Sequence, residues 1–338
     1  MFTKFNPAQN GDPKVTAATA RKKIFVTRLL PPDVESRMAE HYDVVHNPSY
    51  TSLSDTDLAS MATGFDYLLV SGSDQVSRRV FEALAGTLKV VLTLSVGFNH
   101  IDIEAAKAFG IPVLYTPGVL SDACADLALM LLLSAARRAH EADMVARSGN
   151  WPGFAPTQLM GIGLAGRRAG ILGMGGIGQA VAHRLRAFGV AVHYHNRRRL
   201  PAEQELDATY HETAESLLAA SDFFLICAPA TTGLGGFLNR ERIALLPKGA
   251  IVVNVGRGDL VSDDALIEAL QSGHLFAAGL DVYPNEPHID PRYYPLPNAI
   301  LMPHIGSATT DARNAMGFLL LDGLATLEAG GKPENQLC

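Results

Sequence analysis

The feature that most constrains this chain is a glycine-rich turn, Gly173-Met174-Gly175-Gly176-Ile177-Gly178. It follows a short apolar run at 169–172 and precedes a segment with helical spacing. Three spaced glycines mean little alone. Between a strand and a helix they form a phosphate cradle. Gly173 permits the tight turn, Gly175 lets backbone approach a pyrophosphate, and Gly178 lets helix and strand pack closely. The helix N-terminus, at Gly176 and Ile177, favours the anion. The turn therefore predicts a dinucleotide-binding domain.

The surrounding pattern supports this. Apolar runs at 169–172, 191–194, 223–226, 250–253, 276–280 and 300–302 predict six strands with helices between most of them. An earlier series at 23–27, 67–70, 90–94 and 112–115 predicts a second α/β unit, with a helix after Pro31-Pro32-Asp33. Short, fully apolar strands belong in parallel sheets covered on both faces. One long helix is expected over 121–148, with Ser121 or Asp122 as its N-cap. Its first half is apolar nearly all round, which predicts burial between domains or subunits. A Leu/Ala-rich helix at 311–327 is expected to return to the first unit. Residues 1–20 read as a mobile tail. A length of 338 residues suits about two domains, at roughly 150 residues each.

Composition excludes other classes. Hydrophobic residues make up 48% and charged residues 18%, unlike a disordered chain. The net charge is 28 − 34 = −6, a poor match to a nucleic acid partner. Cys124, Cys227 and Cys338 are too scattered for a disulfide framework or a structural metal site, so free thiols in a reducing cytoplasm and no metal are expected. No apolar run approaches the ~18 residues of a membrane span, so no membrane partner is expected.

The cofactor type is set about 20 residues beyond the glycine turn. A carboxylate there bonds the ribose 2′-hydroxyl of NAD, whereas arginine accommodates the 2′-phosphate of NADP. Here the second strand ends at Tyr194-His195-Asn196, followed by Arg197, Arg198 and Arg199, with no Asp or Glu between Val190 and Ala202. Guanidinium groups hold phosphate through forked hydrogen bonds. NADP(H) is therefore expected in preference to NAD(H).

Ligands of open α/β sheets lie at the carboxyl ends of strands. Three polar residues fall just after such ends: Arg257 in Asn254-Val255-Gly256-Arg257-Gly258, Glu286 in Tyr283-Pro284-Asn285-Glu286-Pro287, and His304 in Pro303-His304-Ile305-Gly306. Each alone has an ordinary structural explanation. On adjoining loops they form an anion-binding and acid–base set.

From about Lys23 onward the chain resembles the D-isomer-specific 2-hydroxyacid dehydrogenases, in the glyoxylate/hydroxypyruvate reductase branch. The resemblance is carried by Ser95-Val96-Gly97-Phe98-Asn99-His100-Ile101-Asp102, Ala125-Asp126-Leu127-Ala128, the glycine turn, Val255-Gly256-Arg257-Gly258, Gly279-Leu280-Asp281-Val282 and Pro303-His304-Ile305-Gly306-Ser307-Ala308. It implies an α/β fold of two doubly wound parallel-sheet domains. A flavodoxin-like substrate domain (21–117 and 308–338) would carry an inserted Rossmann domain (118–307). It further implies that His304 is the proton donor, Glu286 its hydrogen-bond partner, and Arg257 the residue orienting and polarising a small 2-oxo acid. Backbone amides around Val96 and Gly97 would hold the substrate carboxylate. Asp281, Ala228, Pro229, Val255, Gly256, His304 and Gly306 would border the cofactor, with Asn196, Arg197 and Arg198 at its adenosine end.

The sequence departs from the family in three places. Thr232-Gly233-Leu234 replaces the common Pro-Glu-Thr, Leu120-Ser121 replaces Leu-Thr, and Asn99-His100 stands where an Asp is common. The implied activity is NADPH-dependent reduction of glyoxylate or hydroxypyruvate to glycolate or D-glycerate. The alternatives are a D-2-hydroxyacid dehydrogenase of broader specificity and a nucleotide-sensing binding protein of the corepressor type. A homodimer is expected from the apolar 127–133 stretch and the resemblance, with Trp151, or else Phe154 or Met160, reaching towards a neighbouring site.

Overall fold

A computed structural model describes residues 21–49, 51–229 and 235–338. The expected tail at 1–20 and the departure at Thr232-Gly233-Leu234 lie outside the described residues. The first sheet contains β1 (Lys23–Val26), β2 (Asp43–His46), β3 (Tyr67–Val70), β4 (Val90–Thr93) and β5 (Val113–Leu114), in the order β2-β1-β3-β4-β5. The second contains β6 (Arg168–Leu172), β7 (Ala191–His195), β8 (Thr209–Tyr210), β9 (Phe223–Ile226), β10 (Ala250–Asn254), β11 (Leu275–Leu280) and β12 (Ala299–Leu301), in the order β12-β11-β10-β9-β6-β7-β8. Every strand pair is parallel. These are the flavodoxin-like and Rossmann orders. In the second sheet the chain moves from β6 to β7 on one side and returns to β9 on the other. That reversal opens a crevice at the carboxyl ends of β6 and β9.

Strands β3, β4, β9 and β10 are buried along their whole length, as sheets covered on both faces require. Two strands escaped the sequence reading. β2 is an edge strand with alternating exposure, and β8 has only two residues. The second sheet therefore has seven strands, one more than expected.

The helices are α1 (Pro32–His41), α2 (Asp55–Met61), α3 (Arg78–Leu84), α4 (Ile103–Phe109), α5 (Ser121–Ala136), α6 (Ala139–Arg147), α7 (Gly176–Ala187), α8 (Ala214–Ala219), α9 (Arg240–Ile243), α10 (Asp263–Gln271) and α11 (Thr310–Glu328). The single helix expected over 121–148 is thus two. Gly161 and Ile162 cross its path: the Ile162 amide donates to the Ala136 carbonyl at 2.8 Å, and Gly161 lies so close to that carbonyl that a side chain would collide with it. Arg138 turns left-handed at φ 52° and starts α6. The N-cap of α5 is Leu120, without a side-chain hydrogen bond, rather than Ser121 or Asp122. Helix α5 packs on β10, β11 and α7. Its Leu131 and Leu132 are fully buried, a contribution of about 1.5–3 kcal/mol each.

Helix α11 packs against α1, where Gly317 meets Val34 with no room for a side chain. Its last residue, Glu328, accepts hydrogen bonds from Tyr67 (2.5 Å), Tyr42 (3.0 Å) and Lys22 (3.0 Å). At its other end Ala312 and Met316 pack with Leu120 and Cys124 beside α5, which joins the two halves of the molecule. All three cysteines are free thiols. No described helix is long and apolar enough to cross a membrane.

Candidate active site

The glycine turn lies at the crevice beside β6. A side chain on Gly173 would strike the Ala228 backbone, and one on Gly178 would strike the Gly173 carbonyl. Gly175 faces open space. The amides of residues 175–178 donate to no described residue, so the start of α7 presents a row of free donors. Asn196, at the end of β7, accepts the Met174 amide at 2.6 Å and ties the turn to the next strand. Ala228 is buried, Pro229 is exposed, and Val255 and Gly256 line the adjoining turn.

The three arginines at the end of β7 divide. Arg199 is forked onto Glu205 at 2.7 and 3.0 Å and lies over the Tyr210 ring. Arg199, then the Tyr194 hydroxyl, hold the Glu205 carboxyl down to about 2. Arg197 and Arg198 are exposed and form ion pairs with no described residue. Arg199 is thus committed to Glu205, which leaves Arg197 and Arg198 as the two guanidinium groups of the tripeptide open to an anion.

Arg257, Glu286 and His304 converge on the carboxyl edge of the same sheet. Arg257 follows β10. Asn254 accepts the Gly256 amide and donates to the Arg257 carbonyl, both at 3.0 Å, which fixes the turn. A side chain on Gly258 would enter the Tyr283 carbonyl, so this turn lies against the segment leading to Glu286. Glu286 Oε1 accepts the Tyr283 amide at 2.9 Å, and Oε2 meets His304 Nδ1 at 2.6 Å. Burial pushes the Glu286 carboxyl up. The His304 and Tyr283 hydrogen bonds and the charges of His304 and Arg257 outweigh it, so its pKa falls below the ordinary value. His304 itself is left-handed, at φ 53°. Asp281 holds that loop: Oδ1 accepts the Ile305 amide at 2.7 Å and Oδ2 the Gly306 amide at 2.8 Å. Burial raises the Asp281 pKa overall, against these bonds and the nearby His304.

The first sheet supplies the facing wall. After β4 the chain turns through Ser95, Val96, Gly97 and Phe98. The amides of Val96, Gly97 and Phe98 donate to no described residue. A side chain on Gly97 would collide with the Arg257 guanidinium. Three free N–H groups thus lie beside a guanidinium, an arrangement suited to a carboxylate.

The sequence reading missed three contributors. Asn254 was legible, because Asn followed two residues later by Gly is an Asx-turn signal. Tyr283, which donates to the Met302 carbonyl at 2.9 Å, has no such signal. Nor has Arg313, which is half-buried on α11 and donates from Nε to the Ser307 carbonyl at 3.2 Å. Among the described residues no cluster of metal-ligating side chains occurs.

Comparison with known proteins identifies the family. The family model for the D-isomer specific 2-hydroxyacid dehydrogenase NAD binding domain matches residues 129–306. The chain is 41% identical over 318 residues to the glyoxylate reductase of Thermococcus kodakarensis, covering 93% of this chain and 95% of that one. A putative D-isomer specific 2-hydroxyacid dehydrogenase from Polaromonas sp. JS6 66 superposes with a TM-score of 0.91 at 52% identity, covering 94% of this chain and all of that one (100%). The NADPH-dependent glyoxylate/hydroxypyruvate reductase of Sinorhizobium meliloti, solved with NADP and malonate, superposes with a TM-score of 0.84 at 33% identity, covering 94% and 97%. The chain therefore belongs to the D-isomer specific 2-hydroxyacid dehydrogenase family and is an NAD(P)-dependent oxidoreductase acting on CH–OH groups.

Proposed function

We propose that this enzyme reduces glyoxylate or hydroxypyruvate with NADPH, giving glycolate or D-glycerate. The observation that carries the reading is the pair of facing walls, three free amides beside Arg257 on one side and the Glu286–His304 pair on the other. The amides of Val96 and Gly97 bind the substrate carboxylate. Arg257 orients the acid and polarises its C2 carbonyl. When bound, a reduced nicotinamide supplies the hydride to C2. His304, with Nδ1 engaged by Glu286, gives a proton from Nε2 to the carbonyl oxygen, and solvent replaces it. The product gains one hydride and one proton, as carbonyl reduction requires.

Gly173, Gly175, Gly176, Ile177 and Gly178 hold the pyrophosphate on the free amides of the α7 start. Ala228, Pro229, Val255, Gly256, Asp281 and Gly306 border the nicotinamide half. Each Asp281 oxygen already accepts one amide and keeps a second lone pair for a carboxamide. Arg197 and Arg198 receive the 2′-phosphate, and Asn196 supports them by fixing the turn. The S. meliloti relative, solved with NADP, supports this choice. On this reading the substrate unit comprises 21–117 and 308–338 and the nucleotide unit 118–307. Exposed Trp151, Phe154 and Met160, at 59, 85 and 62% exposure, support a homodimer.

The test is a kinetic matrix of NADPH and NADH against glyoxylate, hydroxypyruvate, pyruvate and a bulky aromatic 2-oxo acid. The reading expects NADPH oxidation with the two small polar acids. No turnover with any 2-oxo acid overturns it. Sedimentation at micromolar concentration tests the dimer, and a monomer mass overturns that part.

A further inference from the structure

The carboxylate wall has support of its own behind it. Ser95 Oγ donates to the Gly97 carbonyl at 2.6 Å. Ser95 Oγ lies 2.8 Å from Thr93 Oγ1, and Thr93 Oγ1 lies 2.9 Å from His100 Nε2. Thr93 is wholly buried at the end of β4. The direction of these bonds follows from counting protons. A hydroxyl carries one hydrogen. Ser95 spends its hydrogen on the Gly97 carbonyl, so Thr93 must donate to Ser95. Thr93 then has none left, so His100 Nε2 must donate to Thr93.

We propose that His100 is a positioning residue that aims the carboxylate-binding turn through a one-way chain, His100 N–H to Thr93 O–H to Ser95 O–H to Gly97 C=O. The inference rests on the reading that this turn binds the substrate carboxylate. The chain needs an imidazole with its proton on Nε2, and a neutral ring satisfies it. Burial pushes the His100 pKa down to about 4; Asp74 opposes that drop and the Arg257 charge adds to it. The ring is therefore neutral at neutral pH. The peptide unit is planar and trans, so a carbonyl held on one side sends the following N–H to the other. Holding the Gly97 carbonyl against Ser95 thus turns the Phe98 amide away from Ser95. A turn released from Ser95 loses that fixed direction and its donors no longer converge on one anion.

The arrangement predicts a split between binding and chemistry. Thr93→Val keeps the shape and removes the middle link. It is expected to raise the KM for the 2-oxo acid and the inhibition constant of oxamate about tenfold, the size of one lost hydrogen bond. The kcat and the KM for NADPH stay within about twofold, since no group touching the reacting atoms changes. Thr93→Ser restores both constants. At His100, Gln keeps an N–H donor and Phe does not, so His100→Gln lies closer to the wild type than His100→Phe. A purely structural role for His100 and Thr93 moves melting temperature without this pattern.

Oxamate affinity also separates the two ideas. Loss in Gly97→Ala with no change in Thr93→Val or Ser95→Ala overturns the chain of hydroxyls alone. Unchanged affinity in Gly97→Ala and Arg257→Met overturns the carboxylate reading, and the proposal falls with it.

Discussion

The two walls of the cleft are built of different materials. The first sheet offers backbone amides, at Val96, Gly97 and Phe98, supported by neutral hydroxyls. The second offers side chains, Arg257 and His304, supported by the carboxylates of Glu286 and Asp281. Amides do not titrate and need no rotamer to be fixed, so the backbone wall suits a task that never changes, holding a carboxylate. Proton donation needs a group that gains and loses charge, and only side chains supply it. The contrast predicts where substitution removes chemistry and where it removes binding.

The largest effect is expected on the ionic wall. His304→Ala deletes the proposed proton donor and should lower kcat by ~10²–10⁴-fold, the range of lost acid–base catalysis. Saturating steady-state assays measure it. Turnover near the wild-type value breaks the assignment of chemistry to this wall.

On the backbone wall the matching change is the addition of a side chain. Gly97→Ala places a methyl group in the Arg257 guanidinium. The guanidinium must shift, and about 10²–10³-fold should be lost in kcat/KM for the 2-oxo acid, the scale of one displaced electrostatic donor. The KM for NADPH should hold, because the residues proposed to contact the cofactor lie on the other sheet. A parallel rise in both KM values would erase the distinction between the walls.

The arginine corner sharpens the same lesson within one tripeptide. Replacing Arg197 and Arg198 with serine should raise the KM for NADPH at least tenfold, since a charge-assisted hydrogen bond contributes about 1.5–3 kcal/mol. The KM for NADH should scarcely move. Arg199→Ala should leave the NADPH preference intact, because that guanidinium is engaged by Glu205. An equal effect of the double change on both cofactors removes the 2′-phosphate role.

Much of the candidate site was legible in the sequence because its residues sit at strand ends next to glycine. The glycine turn, Arg257 and His304 each follow an apolar run whose end is visible. The break at Arg138 was not visible, since it depends on Gly161 and Ile162, 23 and 24 residues further along the chain, crossing the helix. β2 was hidden by its half-exposed edge, where the alternation Asp-Val-Val-His gives no clear period. The chain from His100 to Gly97 lies within eight residues, yet its direction emerges only when each hydroxyl proton is assigned. Asp281 was singled out, but its hold on the His304 loop was hidden for a different reason: its partners, the amides of Ile305 and Gly306, leave no trace in residue type.

The smallest expected effect concerns pH and stability. Glu286 has a folded-state pKa below its unfolded value, about 4.3 for a free glutamate. A depressed carboxylate contributes stability that is fully present above the unfolded value and is lost as pH falls through the folded one. Glu286→Gln keeps an acceptor and removes the charge. The stability difference between wild type and Glu286→Gln should therefore be constant above about pH 5, then change towards the variant's favour as the carboxylate protonates. The site is partly open, so solvent screening keeps the change below about 1 kcal/mol. Urea unfolding across pH 3–7 measures it, with roughly a pH unit between points. Thr93→Val removes no ionisable group, and His100, with its pKa near 4, is present in wild type and variant alike, so its own titration cancels to first order and no carboxylate contribution should appear in that difference. An acid-dependent loss of the same size in both variants would show that the backbone wall is ionic after all.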